Sequence, residues 1–583
     1  MPAPRAQSPG GGPGRRGPRK ALLVALTVIV TGVAIEGAAR LVEFSVDQWR
    51  AGRAAPENPF LVTRNVVPVF QRSADARSYV RTPHHWISKD ARFAAEKPAG
   101  AFRVFCLGGS AAAGWPHDAE ASYPGFLQRK LERVLPGRNV EVVNAAGHTY
   151  ASYRVKVVFD EILEYEPDLV VLYTGNNEFL ENVVYAPAGA PGGASLALLR
   201  LARRIARASA ERPSIDVANY SQRDHTINRL SFAFGRASEL REDPEQFATV
   251  EDHYRFNIEA MLAEGRRRGI PVLVATVPVN VRDWRPNVSL HAADPDSAAR
   301  AAWQQAFRTG VLALEAGEPP SAIAPLERST SLDPRYAEGW YRLGQAYLGV
   351  GEVGSARKAF DEALHRDAYP FRSVFNDVVR EVAAAADAPP LDLVGVFERE
   401  ARDGIPGFDT FIDYVHPTAA ANEQIAHEVL SAVVDRGWLP AEPALAPDAV
   451  RIAVPADVEE RVPVLRGLFG QYLVMRRYEH LDSLAARLFA AIEKELSAST
   501  PERRERLRGV LSDVARVMRV VGPYRRLLRA EQLGQLTEEF TPVEADAVFD
   551  AYAGMIHALE AQGMPLSEFR SLVSDARPRT AKR

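Results

Sequence analysis

Only one cysteine, Cys106, occurs in the 583 residues. A single thiol closes no intrachain disulfide and builds no multi-cysteine zinc site. Neither sign of charge is in excess: 71 Lys and Arg against 74 Asp and Glu leave a formal net charge of −3. That balance gives no global electrostatic grip on phosphates, so no nucleic-acid partner is expected. The chain is also short of uninterrupted apolar sequence near its start. The uncharged run Ala21–Ile35 ends at Glu36, slightly below the roughly 20 residues a bilayer span requires. What is present is ordinary globular composition, 46% hydrophobic and 25% charged, over a length that suggests about three to five domains.

The N-terminus carries the expectation about compartment. Residues 1–20 are rich in Pro and Gly and carry Arg5, Arg15, Arg16, Arg19 and Lys20. Such a tail before an apolar segment reads as a cytoplasmic flank and a signal-anchor over 21–42. Ile35-Glu36-Gly37-Ala38-Ala39 is a poor cleavage site, so an uncleaved anchor is preferred to a removed signal peptide. Everything after about residue 40 is then expected outside the cytoplasm, in the periplasm or at the cell surface, with the membrane as partner through the N-terminal helix.

Residues 43–100 show few periodic signals and read as a membrane-proximal segment. From Phe102 the pattern changes to short apolar runs, RVFCLGG (103–109), VEVVNAAG (140–147), DLVVLYTGNNE (168–178) and PVLVATVPVN (271–280), alternating with helical segments. Nearly continuous apolar strands between helices imply βαβ units and a mostly parallel sheet covered on both faces. The rhythm is broken twice. APAGAPGGAS (186–195) is a loop leading into a basic amphipathic helix, suited either to an anionic membrane surface or to ordinary packing by its apolar stripe. Residues 301–368 repeat with a period of 34: Gly310 matches Gly344, Gly317 matches Gly351, Ala322 matches Ala356 and Asp333 matches Asp367. Trp340-x2-Leu343-Gly344-x2-Tyr347, followed by Ala356 and Phe360, resembles the tetratricopeptide repeat. Two repeats do not stand alone, so they must pack on the host domain, on a neighbour or on a third helix pair. A protein partner is expected there. The division is then an α/β region over 101–300 and 369–435 split by the repeats, a linker at 436–460 and a helical region over 461–583. That helical region holds no cluster that reads as chemistry.

Ser110 follows the first apolar run, within Gly108-Gly109-Ser110-Ala111. A serine just past a strand end sits where backbone N–H groups are free. The α/β-hydrolase elbow does not fit, because Ala112 stands where its second glycine belongs. Asn144-Ala145-Ala146-Gly147 ends the second run, Gly175-Asn176-Asn177-Glu178 the third, and Asp413-x-x-His416-Pro417 lies near the end of the α/β region. Strand C-termini of a parallel sheet converge on one edge, which brings these blocks together.

Together the four blocks resemble the SGNH (GDSL-type) hydrolase family. The resemblance implies a flavodoxin-like three-layer α/β/α sandwich with a parallel sheet. Around it stand the inserted repeat segment, the N-terminal transmembrane helix and the C-terminal all-α region. It implies an ester substrate with hydrolysis or acyl transfer, and no metal or organic cofactor. Ser110 would be the nucleophile, His416 the general base and Asp413 its orienter. The N–H of Ser110, the N–H of Gly147 and the Asn177 amide would form the oxyanion hole. Gly109 replaces the usual aspartate of the first block, and Glu178 stands where the third has aspartate. PVNVRDWRPNVS (278–289) resembles a membrane-anchored subgroup with inserted repeats. Independently, a serine hydroxyl needs a base within hydrogen-bond reach, and Asp-x-x-His lets a carboxylate hold one ring nitrogen while the other faces serine.

The reading that follows is a membrane-anchored serine esterase acting on an acylated envelope glycan or lipid. An O-acyltransferase and an inert repeat-bearing scaffold stand as alternatives. Asp409 is a second candidate orienter. His148 reads as loop-exposed, Glu178 as a support for the Asn177 loop, His84-His85 as a surface pair, Cys106 as inert core, and Trp340 and Tyr347 as repeat core.

Overall fold

The computed structural model describes residues 68–82, 91–148, 150–178, 244–292, 297–368, 374–475, 477–496, 500–510 and 514. Strands β1 (Phe70–Arg72), β2 (Ser78–Arg81) and β3 (Arg92–Ala94) form a small antiparallel sheet in that order. Strands of three or four residues are too short for alternation to register, which is why this stretch reads as featureless in sequence. Phe93 stands edge-on to Phe70 at 5.1 Å and to Phe105 at 5.3 Å, sealing the small sheet to the main one.

The main sheet is built from β4 (Phe102–Gly108), β5 (Val140–Asn144), β6 (Leu169–Tyr173) and β7 (Val272–Val274). The order is β5-β4-β6-β7, with every pairing parallel. Ala275 then bridges in parallel to Leu391, extending the sheet by one position. Helices α1 (Tyr123–Val134) and α2 (Ser152–Ile162) follow β4 and β5, and α3 (Pro244–Arg268) precedes β7. Further on come α4 (Ser297–Glu315), α5 (Pro319–Leu332), α6 (Ala337–Gly349), α7 (Val353–Arg366), α8 (Val374–Ala385), α9 (Leu393–Glu400) and α10 (Ala419–Asp435). The last are α11 (Val462–Val474) and α12 (Leu481–Leu496).

Alternation along the strands sends side chains to both faces. Val104, Cys106 and Val171 join a core with Phe126 and Leu131 of α1 and Ile425 and Val429 of α10. Phe105, Leu107 and Val170 point the other way and are equally buried; α2 lies against β4 there, with α3 and α8 packed beyond it. The core is thus a parallel α/β sheet. Cys106 is fully buried in it, and burial pushes its thiol up to about 12, which leaves it inert. The chain changes direction across the sheet at β4, between β5 on one side and β6 on the other. That switch point is where a site forms in open α/β sheets.

Helices α4 to α7 are two helix hairpins in the repeat segment. Gly310 and Gly344 hold equivalent places: an added Cβ would fall 2.4 Å from Leu326 and 2.8 Å from Phe360, so the small residue permits each crossing. The repeated aspartates anchor the hairpins to the host. Asp367 accepts the N–H groups of Asn287 and Val288 (2.8 and 2.9 Å), and Asp333 pairs with His291 at 2.7 Å. Of the three packing options for an isolated pair of repeats, the structure uses the host domain. The described part of the C-terminal region is helical, as α11 and α12.

The expected membrane location is corrected. Among the described residues no helix is long and apolar enough to cross a membrane. The segment 21–42 expected to do so lies outside the described residues, and Glu36 closes its uncharged run short of a full span. The basic amphipathic segment after residue 195 and His84-His85 also lie outside them.

Candidate active site

β4 ends at Gly108, whose φ is +151° and where a Cβ would stand 1.9 Å from the Tyr173 carbonyl oxygen. Only glycine lets β4 and β6 run this close. The chain then turns at once into a helical turn, Ser110–Ala113, closed by Gly114 at φ +79°. Its first internal bond runs from the Ala113 N–H to the Gly109 oxygen. The N–H of Ser110 therefore precedes the helical bonding and is left over by it. Asn144, at the end of β5, donates its side-chain amide to the Ala113 oxygen at 3.0 Å and ties the turn to the next strand.

Asp413 and His416 lie on a tight loop before α10, in which Ile412 N–H donates to the His416 oxygen (2.9 Å) and Phe411 bridges Pro417. Thr418 caps α10 by accepting the Ala421 N–H at 3.1 Å, fixing where the loop ends. Asp413 is fully buried. One of its oxygens accepts the N–H groups of Val415 and His416 (2.9 and 2.8 Å), and the other lies 2.6 Å from His416 Nδ1. His416 Nε2 lies 2.8 Å from the Oγ of half-buried Ser110. A carboxylate, an imidazole and a hydroxyl thus form one continuous line. The Trp115 ring packs edge-on against His416 at 4.6 Å.

The expected oxyanion residues meet at the same edge with different degrees of freedom. Asn177 is buried after β6 and donates one amide hydrogen to the Tyr150 oxygen at 3.1 Å; the second hydrogen of that amide remains for another acceptor. A side chain at position 109 would meet Asn177 Nδ2 at 2.4 Å. Glycine at 109 therefore leaves the space in which the Asn177 amide lies beside the serine turn. Gly147 is near, but its N–H donates to the Gly108 oxygen at 3.0 Å, so it serves here as a tie between β4 and the end of β5.

Glu178 is fully buried and accepts both the N–H and the hydroxyl of Ser152 at 2.8 Å. It fastens the start of α2 to the Asn177 loop. Asp409 is held by Arg282, 2.8 Å, away from the imidazole. His148 is half-buried, with its ring 6.2 Å from Trp115, and is not loop-exposed as the sequence suggested. Burial, and then the neighbouring His416, lower it to about 4, so it is neutral at neutral pH. Sequence reasoning passed over Trp115, Tyr150 and Asn280. Asn280 donates to the Asp413 oxygen at 3.0 Å and receives the Asp283 N–H; its signal was the PVN run, quoted for resemblance only. Among the described residues no group of His, Cys, Asp or Glu is arranged to hold a metal ion.

Residues 106–334 match the GDSL-like Lipase/Acylhydrolase family. That stretch of the chain is therefore similar to a GDSL-like lipase/acylhydrolase domain. The match takes in Ser110, Gly147 and Asn177 and stops before Asp413 and His416, which the repeat hairpins displace along the chain. A TPR repeat-containing protein of Pseudomonas aeruginosa is 36% identical over 58 residues, 10% of this chain and 55% of that protein. The Hsp70-Hsp90 organizing protein of Triticum aestivum is 36% identical over 69 residues, 12% of each chain. The chain spans about half or less of the length of these curated relatives. An acetyl xylan esterase structure aligns with 57% of this chain and 99% of its own at 13% identity, with a TM-score of 0.25, too slight a likeness to carry an argument.

Proposed function

We propose that this protein is a serine esterase in which Ser110 is the nucleophile, His416 the general base and Asp413 the group that orients it. Ser110 Oγ attacks the ester carbonyl carbon while its proton passes to His416 Nε2. The tetrahedral intermediate collapses, the alcohol leaves with that proton, and the acyl group stays on Ser110. Water then attacks the acyl carbon, again losing a proton to His416, and the acid departs with Ser110 restored. Asp413 stabilises the imidazolium and holds its tautomer. The N–H of Ser110 and the free hydrogen of the Asn177 amide receive the oxyanion; Gly147 contributes only by sharing the hydrogen it gives to Gly108.

The observation that carries this reading is the unbroken line from Ser110 Oγ through His416 to Asp413, at 2.8 and 2.6 Å. The substrate is named only as a carboxylic ester, because an envelope glycan or lipid rested on the membrane location. Water is taken as the acceptor, since no described residue favours a sugar hydroxyl over it. Hydrolysis of p-nitrophenyl acetate by wild type and Ser110→Ala tests the reading. A fall of at least about 10⁴ in kcat is expected; equal turnover by the two would overturn it.

A further inference from the structure

Helix α11 and the turn before it touch both halves of the active site. On the serine side, a Cβ at Gly467 would stand 2.9 Å from Pro116 Cβ and 3.2 Å from the Trp115 ring. The backbone of α11 is thus pressed onto the loop that follows Ser110. Trp115 in turn packs on His416. Arg461 pairs with Asp118 of the same loop at 3.2 Å. On the base side, buried Tyr472 donates its hydroxyl to the Ile412 oxygen at 2.7 Å, and Gln471 reaches the Tyr414 hydroxyl at 3.4 Å. Glu459 accepts the N–H of Ala419 at 2.9 Å, just past the His416 loop. The Trp284 ring lies 5.1 Å from Tyr472 and 5.5 Å from Tyr414, filling the space between α11 and the base loop.

Ser110 opens a helical turn and His416 sits on a separate loop, and among the described residues no regular hydrogen-bond ladder joins the two. Their reaction needs a fixed distance, and a shift of about 1 Å can cost about 100-fold in rate. The Ile412 N–H bonds to the His416 oxygen, so a pull on Ile412 is felt by the base. We propose that α11 is the clamp that sets the Ser110–His416 distance. Tyr472 is a positioning residue for the base loop, and Gly467 is the residue whose missing side chain lets Trp115 stand against His416. This gives a role in catalysis to a region whose sequence shows no chemistry. It rests on the reading of Ser110 and His416 given above.

The test uses the full chain as wild type, Tyr472→Phe, Gly467→Ala and Gly467→Val. Four quantities are measured: the rate constant for labelling of Ser110 by a fluorophosphonate, kcat and KM for p-nitrophenyl acetate, and the thermal unfolding midpoint. Tyr472→Phe removes one neutral hydrogen bond and is expected to lower labelling rate and kcat about 5- to 10-fold, with KM within about twofold. Gly467→Val is expected to lower both about 100-fold, with Gly467→Ala between. All variants should remain folded at the assay temperature. Folded variants that label at the wild-type rate overturn the proposal, as does a loss that merely follows the unfolded fraction. Wild type that takes no label would instead remove the reading of the site, and this inference with it.

Discussion

His416 and Ser110 lie 306 positions apart in the chain, and their Nε2 and Oγ atoms stand 2.8 Å apart. Between them the chain builds three strands of the sheet, a pair of helix hairpins and the crossover that returns to the same edge. The sheet makes this economical: Ser110 follows β4 and Asn177 follows β6, its neighbour. The helix hairpins leave the sheet and come back without disturbing that edge.

Two aspartates compete for the role of orienter, and their surroundings separate them. Asp413 is buried on His416, whereas Asp409 is engaged by Arg282. Asp413→Asn should lower kcat about 10²- to 10⁴-fold with KM little changed, because the imidazole loses its fixed tautomer. Asp409→Asn should leave kcat within a few-fold. Steady-state kinetics on an activated ester decides; the reverse order would reassign the orienter.

Gly109 and Asn177 are coupled by contact. Gly109→Asp would place a side chain on the Asn177 amide. If that amide receives the oxyanion, Gly109→Asp and Asn177→Ala should each cost about 10²–10³ in kcat, and the double variant little more than either alone. Independent, additive losses would detach Asn177 from the hole.

Stability should fall on mild acidification. Burial lowers His117 to about 4 and His253 to about 3, against about 6.5 in an unfolded chain. Between about pH 6.5 and pH 4 the unfolded state binds protons that the folded state refuses, so folding stability rises with pH across that window. Each of the two contributes at most about 1.4 kcal/mol per pH unit. Urea midpoints should therefore drop from pH 6.5 to pH 4.5, and His253→Phe should flatten the slope. A midpoint that rises on acidification contradicts the assignment.

Much of the core was legible because its signals are local. Apolar strands ending in Gly-Gly-Ser and Asn-Asn-Glu place Ser110 and Asn177 at one edge, and the 34-residue period locates the hairpins. Asp413-x-x-His416 carries its own geometry in its spacing. Other features depend on partners that no spacing encodes. The Gly147 N–H is taken by Gly108, a carbonyl on another strand. Arg282 removes Asp409 from consideration through a contact spanning 127 positions. The clamp residues Gly467 and Tyr472 have meaning only beside Pro116 and Ile412. In sequence they sit in a helix with an unremarkable apolar pattern. The membrane reading has a different outcome: among the described residues no helix is long and apolar enough to cross a membrane, and the apolar run it rested on lies outside them.

The most direct measurement is the site of covalent labelling. Full-length wild type is treated with a fluorophosphonate, digested, and its peptides weighed by mass spectrometry, beside His416→Ala. One phosphonyl adduct on Ser110 in wild type, slowed at least about 10³-fold in His416→Ala with the fold retained, is the predicted result. An unlabelled Ser110 in folded wild type, or labelling that proceeds equally without the imidazole, would contradict the account.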